Sequence, residues 1–305
     1  MNDMPIGAPS ADGGSAGLVL DVRELVLRFG GVTSLDGVSL RHERGQILAV
    51  IGPNGAGKTS LFNCLTGVYR PQSGGVTLWG RDGSPTNLLG RRPHMINRLG
   101  LARTFQHTRL FGGLSALANV QIGVEGRERP AALRVMLATS GVRHAEARGV
   151  RRAMELLAFV GLAHRAHVPA ATLAYGEQRR LEIARALGSG PCLLLVDEPA
   201  AGANTAEKNE LAGLLRRIAA DGISVMLIEH DMGLVMSVAA DVVVLNFGRV
   251  IASGPPARVQ RAPAVREAYL GTAAAAPADS GSDTSGIPDG IDGIPDGIAD
   301  ARGGC

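Results

Sequence analysis

No apolar run in this chain approaches the roughly 18 residues that would suggest a membrane-spanning helix. The first 17 residues hold neither Lys nor Arg and no long apolar stretch, so they do not resemble a secretory signal. The expectation is a cytosolic protein whose contact with any membrane comes through partners. Cysteine is scarce too. Cys64, Cys192 and Cys305 show no C-x-x-C spacing and no His at ligand distance, which argues against a disulfide framework or a zinc site. Cys64 and Cys192 stand in apolar surroundings and are expected to be small core residues. An excess of one charge is also missing. A formal net charge of +3 makes no basic field for nucleic acid. Lysine is nearly absent: of 31 basic residues only Lys58 and Lys208 are lysines. A lysine kept inside a glycine loop therefore stands out, because a compact, mobile ammonium differs there from a planar guanidinium.

What is present reads as a folded globular protein. The 305 residues are 45% hydrophobic and 19% charged, enough for one large domain with a sizeable core. Residues 1–17 are rich in Gly, Ala, Ser and Pro and are expected to be disordered. The periodic apolar pattern runs from 18 to 272. Residues 273–305 carry six aspartates against one arginine and a short repeat, Gly286-Ile-Pro-Asp-Gly-Ile-Asp292 then Gly293-Ile-Pro-Asp-Gly-Ile-Ala299. This reads as a solvated acidic tail, since the ligand density and spacing of calcium motifs are missing.

Within 18–272, Leu18–Phe29 and 38–40 read as strands of an antiparallel layer. Residues 46–51 read as a strand entering a glycine loop, 59–67 as a helix and 76–79 as a short strand. Residues 90–172 lack strong strand signals and are expected to form a mostly helical subdomain. Residues 192–196 and 223–228 are short, wholly apolar runs, as in strands buried on both faces of a parallel sheet. Asp241–Asn246 and 249–253, joined around Gly248, suggest a hairpin. Of the seven histidines, all but His230 are read as surface residues. The expected fold class is α/β: with the glycine loop Gly52-Pro-Asn-Gly-Ala-Gly-Lys58-Thr59 after the strand at 46–51, it resembles a P-loop NTPase core with a mostly parallel sheet, an antiparallel β flank and a helical insertion.

The strongest local signal is Gly52-Pro53-Asn54-Gly55-Ala56-Gly57-Lys58-Thr59, which matches G-x-x-x-x-G-K-[ST] at every fixed position. An apolar strand precedes it and a helix follows. Glycines let successive backbone N–H groups turn inward around a phosphate, and the helix adds its positive N-terminal end. Lys58 is expected to reach the β- and γ-phosphates and the Thr59 hydroxyl to ligate Mg²⁺, with Ser60 beside them among the nucleotide-binding positions. The second half of the site is Cys192-Leu-Leu-Leu-Val-Asp197-Glu198. A buried strand ending in two carboxylates places them at the carboxyl edge of the sheet, where α/β ligand crevices form. Asp197 is expected to hold Mg²⁺ through water, and Glu198 to orient or deprotonate the attacking water.

Further motifs follow in order: Thr104-Phe105-Gln106; Leu173-Ala174-Tyr175-Gly176-Glu177-Gln178 with the helical stretch 179–187; Glu198-Pro-Ala-Ala-Gly-Ala-Asn204; and Glu229-His230-Asp231 after an apolar strand. Phe29 lies 29 residues before Lys58. In order and spacing, residues 18–272 resemble the ABC ATPases. The resemblance implies that Gln106 contacts metal and water, and that His230 contacts the γ-phosphate. It implies that Phe29 stacks on adenine, and that Ala174, Tyr175, Gly176 and Glu177 present a helix start to ATP on an opposite subunit. It also implies ATP and Mg²⁺ as cofactors.

Two departures matter. The usual signature serine is Ala174, and the glycine after it is Tyr175. The usual Leu-Asp of the D-loop is Ala203-Asn204. Together with Arg28-Phe-Gly-Gly31, Ala102-Arg-Thr-Phe-Gln106 and Ile228-Glu-His-Asp-Met232, these features look like the ATP-binding subunits of bacterial branched-chain amino-acid importers. Close relatives serve urea or other amino acids, or lipopolysaccharide export. Implied partners are transmembrane permease subunits, a second ATPase subunit (a heterodimer favoured over a homodimer) and, indirectly, a periplasmic substrate-binding protein. The implied location is the cytoplasmic face of the inner membrane. Leu110, Phe111 and Leu114 are a candidate groove for a permease helix. A soluble repair or translation ATPase would carry long coiled coils or a second cassette. A small-molecule kinase would lack the signature helix. A non-hydrolysing cassette would not keep Lys58, Asp197, Glu198 and His230.

Overall fold

The computed structural model describes residues 17–104, 110–126 and 140–273. Two sheets organise it. The first is antiparallel and contains β1 (Leu18–Phe29), β2 (Val32–Glu43), β4 (Ser73–Trp79) and β5 (Pro85–Asn87) in the order β2-β1-β4-β5. β1 turns into β2 through Gly30-Gly31, with Phe29 paired to Val32. The positive φ of Gly30 suits such a two-residue hairpin loop.

The second sheet has the order β10-β9-β3-β8-β7-β6. β3 (Ile47–Ile51), β8 (Ser224–Ile228), β7 (Leu193–Asp197) and β6 (Leu101–Arg103) run parallel, as does β9 (Asp241–Asn246) beside β3. β10 (Arg249–Gly254) returns antiparallel on β9. Every residue of β3, β7 and β8 is buried, because both faces are covered. Side chains alternate between two cores, as the strand period dictates. Leu193, Leu195, Met226 and Ile228 point into the core shared with the antiparallel sheet. Leu194, Val196, Val225 and Leu227 point into the core shared with the helices.

The helices are α1 (Lys58–Leu65), α2 (Pro93–Arg98), α3 (Ala116–Glu125), α4 (Ser140–Phe159), α5 (Tyr175–Gly188), α6 (Thr205–Ala220), α7 (Met232–Val238), α8 (Pro256–Arg261) and α9 (Pro263–Ala273). α3, α4 and α5 pack on one another as the helical unit. The α3–α5 contact is backbone-close. A Cβ on Gly123 would land on the carbonyl oxygen of Arg185, and one on Gly188 would meet the Val124 nitrogen at 2.8 Å.

Most expected elements appear with shifted ends. α1 begins one residue earlier and ends two earlier than 59–67, and β2 extends far beyond 38–40. One reading gains a detail and one is corrected. The stretch 90–172 also holds a short strand, β6, which forms the edge of the parallel sheet against Leu193–Leu195. Three residues cannot display a period, and β6 exists through its pairing with β7. His42 is not on the surface. It continues the inward alternation of Val38 and Leu40 on β2 and is 2% exposed. Its Nε2 lies 3.1 Å from the Gln46 carbonyl, and burial pushes its pKa down to about 4. Cys64 and Cys192 are buried as expected, and His94, His164 and His167 are exposed. The terminal stretches 1–16 and 274–305, together with His107 and His144, fall outside the described backbone or side chains.

Candidate nucleotide site

β3 ends at the middle of the parallel sheet, and the chain leaves it at Gly52. Gly52 has φ +146°, and a Cβ there would collide with the Leu245 carbonyl oxygen on β9. Gly57, with φ +102°, caps the start of α1; a Cβ there would sit 2.6 Å from the Ser34 oxygen on β2. Neighbouring strands back the loop. Gly248 donates its N–H to the Ala56 carbonyl at 3.0 Å, and Asp36 donates to the Gly248 carbonyl at 2.8 Å. Ser34 Oγ donates to Ser60 Oγ at 2.7 Å. No side chain caps α1, so its positive end faces the mouth of the loop. Asn54, Gly55 and Thr59 are exposed there, Pro53 and Ser60 half-buried, and Ala56 buried.

Lys58 is buried. Its Nζ donates to the carbonyls of Gly52 at 2.7 Å and Pro53 at 2.9 Å, which leaves one of its N–H groups for another acceptor. Burial holds its pKa below the ordinary lysine value, and the charges of Glu198 and then Asp197 act in the opposite direction. The loop and the two carboxylates therefore form one charge cluster.

β7 delivers those carboxylates. Asp197 is buried, and Arg103 at the end of β6 donates from Nη2 to its Oδ2 at 2.8 Å. The same guanidinium donates from Nη1 to Asn63 on α1 at 2.6 Å and lies 5.5 Å from the Phe62 ring centroid. Glu198 occupies the left-handed region at φ +45°, and its N–H donates to the Ile228 carbonyl at 2.9 Å. That bond sets Glu198 beside the end of β8. His230 follows β8 and is exposed, with Nδ1 3.9 Å from Glu229 Oε2. Gln106 lies outside the described residues; Thr104, two positions before it, takes the Asp197 N–H on its hydroxyl at 3.4 Å.

Phe29 is 46% exposed at the end of β1. Tyr69 meets its ring edge-on at 5.1 Å, and the Gln72 side chain grips the backbone of Arg28 through both its N–H and its carbonyl. Ala174, Tyr175, Gly176 and Glu177 stand at the head of α5, on the helical side, where Gly176 faces Glu207 of α6. Glu177 accepts the Ala174 N–H at 3.0 Å. The Ala174 side chain has no atom that could accept in return. Tyr175 is 50% exposed; its hydroxyl takes bonds from Arg179 Nε and Nη2 at 3.1 and 2.5 Å. Asn204, the substituted D-loop position, caps α6 by accepting the Glu207 N–H at 3.0 Å. Asparagine caps a helix as well as aspartate does.

Two side chains do more in the site than their sequence positions announce. Arg103 and Glu229 stand inside the motifs around Gln106 and His230, where the sequence attaches no role to either. The adjacency of Arg103 to Gln106 was the available signal for the first. An acidic residue at the end of a wholly apolar run was the signal for the second.

Residues 35–201 match the family model described as ABC transporter, and residues 249–275 match the one described as branched-chain amino acid ATP-binding cassette transporter. The chain is 41% identical to the high-affinity branched-chain amino acid transport ATP-binding protein BraF of Pseudomonas aeruginosa over 256 residues, covering 84% of this chain and 98% of BraF. It is 40% identical to LivG of Escherichia coli, a protein of the same description, over the same shares. The ADP conformation of an ATP-binding cassette of an ABC transporter superposes with a TM-score of 0.71 at 28% identity, over 83% of this chain and 99% of that one. The chain belongs to the ABC transporter ATP-binding cassettes, a family of nucleotide-binding ATPases coupled to transport. Its relatives within that family are the branched-chain amino acid transport ATP-binding proteins.

Proposed function

We propose that this chain is the ATP-hydrolysing subunit of a branched-chain amino-acid importer. The observation that carries the hydrolytic reading is the cluster of Lys58, Asp197 and Glu198 at the carboxyl edge of the parallel sheet, under an uncapped helix start. The cargo reading comes from the relatives, which cover nearly their whole length on this chain.

The loop 52–60 cradles the phosphates through its backbone, Lys58 supplies charge, and Phe29 stacks on the base. The donors fit a hard dication: Thr59 offers a hydroxyl, Asp197 a carboxylate and the nucleotide its phosphate oxygens, an all-oxygen set suited to Mg²⁺. Bound there, Mg²⁺ would neutralise phosphate charge. Arg103 balances Asp197 and ties it to α1. Glu198 holds the attacking water and receives its proton, Gln106 orients the same water, and His230 faces the γ-phosphate. Catalysis is then positioning and electrostatic stabilisation.

Ala174 to Glu177, at the head of α5, match the family's signature segment, and on that resemblance they serve a nucleotide held by a second subunit. The bound pair encloses two ATP molecules, and a sister ATPase rather than a second copy is the favoured partner. Leu110, Phe111 and Leu114, the last two exposed, offer apolar contact to a permease helix. Among the described residues no helix is long and apolar enough to cross a membrane. In this reading the subunit sits peripherally on the cytoplasmic face of the inner membrane, and a periplasmic binding protein delivers cargo to the permease.

Glu198→Gln should abolish turnover while leaving ATP binding intact. Tagged Glu198→Gln protein with ATP, recovered from native membranes, should bring two permease subunits and a sister ATPase, with an amino-acid-binding protein attached. Turnover close to wild type removes Glu198 from its role. Recovery of an exporter's membrane subunits discards the amino-acid reading.

A further inference from the structure

The turns after β7 and β8 share one buried side chain. Glu229 is fully buried. Its Oε1 accepts the Ala200 N–H at 2.8 Å, and its Oε2 accepts those of His230 at 3.0 Å and Asp231 at 3.3 Å. A carboxylate removed from water is costly unless hydrogen bonds replace its hydration, and three backbone donors do so here. The partners come from two different turns, so the group ties them together.

Both turns need holding. Glu198, two residues before Ala200, has φ +45°, a backbone region that a non-glycine residue keeps only where its surroundings enforce it. Its own N–H is anchored on Ile228, and its carbonyl takes the Ala201 N–H at 3.3 Å. The Ala200–Glu229 bond closes the turn from the other side. Beyond Glu229, Asp231 caps α7 by accepting the Leu234 N–H at 2.9 Å and takes Lys208 Nζ of α6 at 2.5 Å. A closed ring results: β7, its turn, α6, Lys208, Asp231, Glu229 and back to Ala200.

We propose that Glu229 is a positioning residue whose carboxylate locks the turn carrying Glu198 and the turn carrying His230 into one unit, so that both side chains meet the nucleotide as a fixed pair. This rests on the roles proposed above for Glu198 and His230. Glu229→Gln tests it with nearly unchanged shape. A carboxamide has one acceptor end and one donor end, so it cannot accept from both turns, and one turn must face an N–H₂ group.

Two readouts on the full-length protein decide the matter: amide hydrogen exchange across 199–204 and 229–233, and single-turnover ATP hydrolysis in the assembled transporter. Glu229→Gln is expected to raise exchange tenfold or more in at least one of the two turns, while β8 and α5 keep their protection. The single-turnover rate should fall at least tenfold with ATP affinity within twofold of wild type. Unchanged exchange, or raised exchange with unchanged turnover, overturns the proposal. A uniform rise across the sheet with a matching loss of ATP affinity also overturns it, because Glu229 would then only stabilise the fold. Wild-type hydrolysis by Glu198→Gln in the same assay would sink the reading of the site instead, and the exchange data would still judge the lock.

Discussion

α5 and α6 are entered through segments that share a glutamate at the fourth position, Ala174-Tyr-Gly-Glu177 and Asn204-Thr-Ala-Glu207, and differ in what they leave open. In both, the glutamate reaches back to the first residue's N–H, at 3.0 Å for Glu177 and 2.9 Å for Glu207. At α6 the asparagine answers by accepting the Glu207 N–H, which completes a reciprocal capping box. At α5 the alanine has nothing to answer with, and the box is half made. α1, entered through Gly57, has no side-chain cap at all. α3 and α7, like α6, are capped by their own side chains, Ser115 and Asp231. α1 and α5, the helix starts that face phosphate in the proposed mechanism, thus forgo the internal acceptor, as do α2 and α8, which open on prolines instead, while α3, α6 and α7 supply one. At α1 and α5 the missing side-chain acceptor leaves N–H donors and dipole available to an anion from outside.

Three substitutions bear on this contrast. Gly57→Ala places a Cβ 2.6 Å from the Ser34 oxygen in a backbone region with φ +102°. Strain on the order of 1–3 kcal/mol should displace the start of α1. ATP binding, followed with a fluorescent analogue, should weaken by at least a hundredfold, and binding at wild-type affinity would mean the loop tolerates a side chain there. Asn204→Ala turns the start of α6 into that of α5. A loss of about 1 kcal/mol of stability is expected in denaturant melts, with ATP affinity unchanged; a loss of affinity would show that α6 also serves the nucleotide. Ala174→Ser makes the reverse change. It should raise the stability of the isolated subunit by about 0.5 kcal/mol, and no gain would show that the N–H groups at the head of α5 are already satisfied within the chain.

The loop at 52–59 and the strands β3, β7 and β8 were legible because local pattern and burial agree there: short apolar runs, all buried, each ending in polar residues at one edge of the sheet. β6 was not legible, since its three residues become a strand only by pairing with Leu193–Leu195. His42 was hidden by its charged neighbours Arg41, Glu43 and Arg44, which obscured an alternation running inward from Val38. Arg103 and Glu229 could be seen as letters of motifs, but their partners lie 94 and 29 positions away. No local pattern reports which distant groups a fold brings to a buried charge. At 204 an asparagine stands where the family's aspartate is usual, and the structure shows the side chain serving as a helix cap, which either residue can do.

The near-absence of lysine has a consequence for covalent regulation. Acetyl, succinyl or carbamoyl groups that settle on side-chain amines find two addresses in this chain, one in the glycine loop and one on α6 facing Asp231. Lys58 is enclosed by the carbonyls of its own loop. Lys208 is one-third exposed and is the amine within reach. Acylating it would remove the cation that faces Asp231 and free α6 from the segment that carries His230. A chain clothed in guanidinium groups is thus indifferent to amine chemistry over nearly all its surface and responsive to it at a point beside the motor.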